Sequence, residues 1–177
     1  MRNDKHGTLL RAGILASVLG TVSAASLATP WGPVIGKCAP GVARDTIEAI
    51  VRAESSGNPF AVGIVGGKAS RQPKSLPEAV SLGKSLDRAG VSWSAGLAQV
   101  NRANFARLGL TTETAFDPCL NVSGGARILS ECWARTSPGS SASDRLRTAL
   151  SCYYAGPSGG PQPGYVKRIL AASGSPG

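Results

Sequence analysis

What most constrains this chain is a helical stripe that runs into a carboxylate and then stops. In Ile47-Glu48-Ala49-Ile50-Val51-Arg52-Ala53-Glu54-Ser55-Ser56-Gly57-Asn58-Pro59, Ile47, Ile50 and Val51 recur at the i, i+3, i+4 spacing of one buried helix face. The next position on that face, i+7, is Glu54. Arg44, Glu48 and Arg52, four apart, fall on a different face and can pair along the solvent side. Gly57 tolerates the left-handed turn that ends a helix, and Pro59 cannot continue it. Glu54 is therefore carried into the last turn on the buried side. Burial disfavours its charged form, as does the negative end of a helix, so both push its pKa up toward that of a general acid working near neutral pH. The same pattern also fits a helix-end glutamate turned to solvent.

The compartment narrows the chemistry. Arg2, Lys5 and Arg11 precede an apolar run from Ala12 to Val22 and the small residues of Val22-Ser23-Ala24. That reads as a secretory signal peptide over residues 1–24, cleaved after Ala24 or Ala25 and leaving no stable membrane anchor. Three basic groups and one acidic group leave with it, taking the formal charge from +9 to +7. Such a surface suits polyanions, among them nucleic acid, acidic lipid and the carboxylate-rich bacterial cell wall. No basic motif with interleaved aromatics is present, which speaks against nucleic acid. The four cysteines, Cys38, Cys119, Cys132 and Cys152, read as two disulfides in an exported chain, with three possible connectivities. The only histidine is His6, inside the signal. Nucleophile pairs of the Ser-His and Cys-His kind are thus excluded, a zinc site would depend on oxidised cysteines, and no metal or cofactor is expected.

The rest reads as one mainly α domain. Residues 25–37 form an extended arm, 38–172 the domain, and 173–177 a flexible tail. Helices are predicted around the Glu54 stripe, from Leu76 to Gly90, over Arg102 to Leu108 with Asn101 as N-cap, from Asp117 to about Arg135, over Asp144 to Tyr153, and from Tyr165 to Ala172. Tyr153 extends the apolar stripe of Leu146, Ala149 and Leu150, so its hydroxyl, like Glu54, ends a buried face. No strand pattern of useful length occurs, beyond a minor hairpin around Gly63 to Ser70. The loop of about eight residues from Thr136 to Ser143 makes the flanking helices antiparallel neighbours. Cys132 and Cys152 sit on those helices with a mismatch of about one turn, which a tilted crossing absorbs. Cys38 and Cys119 each precede a helix, and the expected pairs are Cys132–Cys152 and Cys38–Cys119.

Several motif matches carry no chemistry. Gly156-Pro157-Ser158-Gly159-Gly160 has neither a preceding strand nor a histidine, Ser81-Leu82-Gly83-Lys84 has no Lys-Thr-Gly partner, and Gly63 to Lys68 is one residue short of a P-loop. Four other segments count because of their order: Glu54-Ser55-Ser56-Gly57-Asn58-Pro59, Gly96-Leu97-Ala98-Gln99-Val100-Asn101, Asn121-Val122-Ser123-Gly124-Gly125 and Tyr153-Tyr154-Ala155-Gly156-Pro157. Together they resemble the signature of the soluble lytic transglycosylases, which share the goose-type lysozyme fold, over Cys38 to about Leu170. Pro59-Phe60-Ala61-Val62-Gly63, Gln72-Pro73-Lys74-Ser75-Leu76, Phe116-Asp117-Pro118-Cys119 and Cys152-Tyr153-Tyr154 are similar to the members that serve type IV secretion and conjugation systems. Ala98 stands where the family usually has Met, and Tyr154 where it has Asn.

The resemblance implies a lysozyme-like α-helical domain that acts in the periplasm on peptidoglycan glycan strands and opens the wall for a secretion channel, with components of that system as partners. It implies one glutamate used twice: as acid on the leaving oxygen, then as base on the C6 hydroxyl, closing a 1,6-anhydro ring. Glu54 takes that role. Tyr153 is expected within hydrogen-bond reach of it, Ser55 to hold the sugar or the glutamate, and Gln99, Asn101 and Tyr154 to contact substrate. Trp93 fits core and sugar platform equally. Between Pro59 and Gln99 the only acids are Glu78 and Asp87, on a helix expected to be solvated. Two alternatives stay open: a lysozyme-type hydrolase on the same fold, and a catalytically weak periplasmic assembly or binding protein.

Overall fold

Proline in the first turn and a short polar side chain just ahead of it decide where several helices of this chain begin. The computed structural model describes residues 30–67, 69 and 71–173. The expected signal peptide, the first part of the arm and the tail beyond Ser173 lie outside them. In chain order the elements are α1 (Gly32–Cys38), α2 (Arg44–Ser55), β1 (Val62–Ile64), α3 (Leu76–Arg88), β2 (Trp93–Ala95), β3 (Val100–Asn101), α4 (Phe105–Leu108), α5 (Pro118–Ala134), α6 (Ala142–Ala155) and α7 (Pro163–Ala172). Ser75 caps α3 by accepting from the Glu78 amide, and Asp117 caps α5 by accepting from the Leu120 amide. Helix α6 starts two residues before the expected Asp144, because Ser141 rather than Ser143 supplies its cap.

The arm is not extended where it is described. Pro33 lies in the first turn of α1, and Ile35 is fully buried, so Gly32–Cys38 gains from burial what so short a helix lacks in propensity. This changes the charged row of α2. α1 packs against α2 and α5, and Gly32 sits against Arg44 and Glu48. Glu48, expected on the solvent side, is only 4% exposed and pairs with Arg44 at 2.8 Å and Arg52 at 3.7 Å. A carboxylate so covered is tolerable because both cations are held beside it. At the other end of α2 the left-handed position falls on Ser56 (φ 52°), with Gly57 (φ 79°) following. Trp31 closes that end by donating to the Gly57 carbonyl at 2.9 Å.

Among the described residues no hairpin is formed around Gly63 to Ser70, where one was expected. β1 pairs instead with β2 from far along the chain, Val62 opposite Ala95 and Ile64 opposite Trp93, and β2 pairs with β3 across the Gly96–Gln99 turn. Strands of two and three residues leave no alternation to read. The segment after β1 is tied down by Gln72, whose amide side chain bonds both the N–H and the C=O of Val62 at 2.9 Å, as a neighbouring strand would.

Two apolar centres result. One joins Ile47, Ile50 and Val51 of α2 to Val122, Leu129, Leu150 and Ile169 of α5, α6 and α7. The other surrounds Trp93, with Phe105 edge-on at 5.5 Å and Phe116 stacked at 6.1 Å. Trp93 is fully buried and is core, not a sugar platform. Its indole donates to Asp87, which also receives Arg102 and Thr112, each at 2.9 Å. Asp87 is thus a structural hub rather than a solvated acid. Gly83 belongs to the same packing, since a Cβ there would lie 2.7 Å from the Trp93 ring.

The disulfides join Cys38 to Cys119 and Cys132 to Cys152, with Cα separations of 5.4 and 5.7 Å. The first ties the end of α1 to the first turn of α5; the second ties α5 to α6. They close loops of 81 and 20 residues, so in the chain-entropy account they stabilise by about 4–5 and about 3 kcal/mol. Replacing Cys38 and Cys119 by Ala should therefore lower the denaturation midpoint more than replacing Cys132 and Cys152, as read by urea unfolding of the two double variants.

Candidate active site

Side chains from α2, α5 and α6 converge on the turn between β2 and β3. Gly96 (φ 76°) and Gln99 (φ 46°) both adopt left-handed backbone there. Asn121 of α5, fully buried, accepts from the Ala98 amide at 2.7 Å and donates to the carbonyls of Ala95 and Ala115, each at 2.8 Å. Ser55 at the end of α2 donates to the Leu97 carbonyl at 2.9 Å, and Tyr153 of α6 donates to the Ala98 carbonyl at 2.6 Å. The Gly96 carbonyl takes the Gln99 side-chain amide at 3.0 Å. A left unpaired buried carbonyl or amide costs about 1–3 kcal/mol, so these side chains are what permit so tight a turn inside the protein. Glycine is required at two places: a Cβ on Gly96 would lie 2.5 Å from Asn121, and one on Gly125 would lie 2.6 Å from Ala98 Cβ.

The turn forms one wall of a cleft of about 810 Å³ that also includes Glu54, Gly63, Asn101, Arg107, Glu131 and Tyr154. Glu54 is half-buried in the last turn of α2. Tyr165 of α7 donates to its Oε1 at 2.7 Å. Burial pushes the Glu54 carboxyl above the usual range, while the Tyr165 hydrogen bond and the charge of Arg168 pull the other way. Burial first and the Glu54 charge second raise the pKa of both Tyr153 and Tyr165, which keeps both phenols protonated as donors. Arg168 lies 5.5 Å from the centre of the Tyr165 ring, and the Tyr154 ring packs on it at 4.7 Å.

The expected site residues divide. Glu54, Gln99, Asn101, Tyr153 and Tyr154 line one cleft. Tyr153, expected on the Glu54 carboxyl, instead spends its single proton on the Ala98 carbonyl, and Tyr165 does the job assigned to it. Ser55 reaches the carbonyls of Val51 and Leu97 and accepts from the Gly57 amide, so it holds the turn. The Gln99 amide nitrogen is spent on Ala61 and Gly96, leaving its carbonyl oxygen over Gly63. Asn101 caps the turn of 3₁₀ helix after β3 by accepting from the Ala103 amide, and donates to Ser94 at 3.3 Å. Tyr154 is 56% exposed and lines the cleft. Missed from the sequence were Tyr165, Arg168 and the pair Arg107–Glu131. Tyr165 carries the signal that singled out Tyr153: a hydroxyl on an apolar stripe, here with Val166 and Ile169.

Residues 35–161 match the Transglycosylase SLT domain, and the chain belongs to that family of lysozyme-like, mainly helical proteins. Within it, the chain is related to the virB1 proteins. It is 44% identical over 153 residues to "Type IV secretion system protein virB1" of Brucella abortus, covering 81% of this chain and 64% of that protein. It is 32% identical over 165 residues to "Protein virB1" of Agrobacterium fabrum, covering 90% and 66%, and 31% identical over 172 residues to "Protein virB1" of Rhizobium radiobacter, covering 93% and 72%. The chain thus spans 64% of the length of the Brucella relative. No solved structure matches it. Among the described residues no helix is long and apolar enough to cross a membrane.

The two tyrosines make separable predictions. A phenol donating to a carboxylate stabilises its charged form, so Tyr165→Phe should raise the Glu54 pKa. Tyr153→Phe should leave it nearly in place and cost about 1 kcal/mol of stability or more through the orphaned Ala98 carbonyl. Carbon-detected NMR titration of Glu54 together with thermal unfolding reads both, and equal pKa shifts in the two variants would refute the assignment.

Proposed function

We propose that this protein is a periplasmic lytic transglycosylase that cleaves the β-1,4 bond between N-acetylmuramic acid and N-acetylglucosamine in peptidoglycan and leaves a 1,6-anhydro-muramyl end. The observation that carries the reading is the setting of Glu54: a half-buried carboxyl facing a cleft, raised by burial and held by one phenol. The proton on Glu54 passes to the glycosidic oxygen as the bond to C1 breaks. The resulting carboxylate, stabilised by Tyr165 and Arg168, takes the proton of the C6 hydroxyl as O6 closes onto C1. Glu54 ends protonated as it began, and no water is consumed. An acid that must also serve as base needs opposing influences on its pKa, and burial against Tyr165 supplies them.

A hydrolase of the two-carboxylate kind would need a second free acid across the cleft. The other carboxylate there, Glu131, is taken by Arg107 at 2.7 Å and Arg127 at 3.1 Å. This favours the single-acid route. The Brucella abortus relative is a type IV secretion system protein, which supports reading local opening of the wall for such an apparatus as the setting.

Glu54→Gln keeps an oxygen for Tyr165 but has no proton to give, so cleavage of purified cell wall should fall by about 10²-fold or more. Wild-type products should be lighter by one water than hydrolysed ones in mass spectrometry; reducing ends would instead mark a hydrolase. Because burial raises the folded-state pKa above the unfolded one, the stability linked to protonated Glu54 is lost as pH rises through that window. The Gln variant should therefore be at least as stable as wild type at neutral pH, which thermal unfolding measures.

A further inference from the structure

A second depression of about 980 Å³ lies between α6 and α7. Its lining is largely carbon: the Cys132–Cys152 disulfide, Val166, Leu170 and the prolines at 157, 161 and 163. Around this floor stand Arg135, Arg147 and Lys167, and no aspartate or glutamate lines it. Several cations elsewhere are matched, as in Lys84–Glu113, Arg102–Asp87 and Arg107–Glu131. Arg135, Arg147 and Lys167 make no ion pair among the described residues. The groove also runs into the Glu54 cleft, since Cys132, Arg135, Cys152 and Pro157 line both.

We propose that this groove binds the carboxylate-bearing peptide that branches from the glycan strand, as a second subsite of the same substrate. The proposal rests on the reading of the Glu54 cleft as the glycan site. Peptidoglycan carries, on the lactyl group of alternate sugars, a short peptide with free carboxylates and small apolar side chains. A strand lying in the cleft would direct one such peptide past Arg135 into the groove. There its apolar groups meet Val166, Leu170 and the disulfide, and its carboxylates meet Arg147 and Lys167. Three cations without counter-ions match an anionic ligand and repel a cationic one. Arg147 and Lys167 touch neither Glu54 nor the turn that supports it, so they select substrate without taking part in the chemistry.

The test uses the whole chain and its Arg147→Glu/Lys167→Glu variant, with Arg147→Gln/Lys167→Gln as a milder pair and thermal unfolding to verify that both are folded. Each is assayed on intact cell wall and on the same glycan after an amidase has removed the peptides, and each is titrated calorimetrically with the released peptide. Reversing two charges that face an anionic ligand should raise KM on intact wall by about tenfold at low salt, with kcat unchanged. Turnover of stripped glycan should stay within about twofold of wild type. The released peptide should bind wild type, bind the Gln pair more weakly and fail to bind the Glu pair. Equal losses on both substrates, or peptide binding that is absent or the same in every variant, overturn the proposal. A polyglutamate control that binds as well as the released peptide also overturns it, in favour of an acidic protein segment as occupant. Should wild type cleave neither glycan yet bind the peptide through Arg147 and Lys167, the reading of the Glu54 cleft fails while the peptide groove stands.

Discussion

The Gly96–Gln99 turn holds the site together, and it is stable only because other elements complete its hydrogen bonds. Its backbone is left-handed at both ends and buried, a combination that leaves amide and carbonyl groups facing inward. Ser55, Asn121 and Tyr153 answer three of them from α2, α5 and α6. A deficit at any one would leave a polar group stranded in a low-dielectric interior. The turn therefore fixes the relative placement of three helices and, through Ser55, the end of the helix that carries Glu54.

Helix α2 shows how neighbours give two carboxylates on one helix different settings. Glu48 and Glu54 lie on the same helix and both are turned away from open solvent. Glu48 is closed over by α1 and given two guanidinium groups, so its charge is neutralised in place. Glu54 receives a phenol at contact distance and faces a cleft, with Arg168 acting only through space.

The aromatic pair around Glu54 also has a division of labour. Tyr153 points into the turn and is part of the scaffold, whereas Tyr165 is braced by Tyr154 on its ring and by Arg168 nearby. Tyr154, where the family usually has Asn, packs its ring against that of Tyr165, the donor to Glu54.

From the sequence alone, the helices other than α1 could be read from their stripes, and Glu54 could be picked out because a carboxylate interrupts an apolar face. The cysteine pairing was legible too, since a short loop forces α5 and α6 side by side. What stayed hidden were interactions between segments far apart: β1 with β2, α1 over Glu48, and above all which tyrosine reaches Glu54. Tyr153 and Tyr165 carry the same local signal, a hydroxyl at the edge of an apolar stripe. Only the packing of α6 against the turn and of α7 against α2 separates their roles, because each phenol has one proton and gives it to the acceptor that the tertiary fold brings within reach.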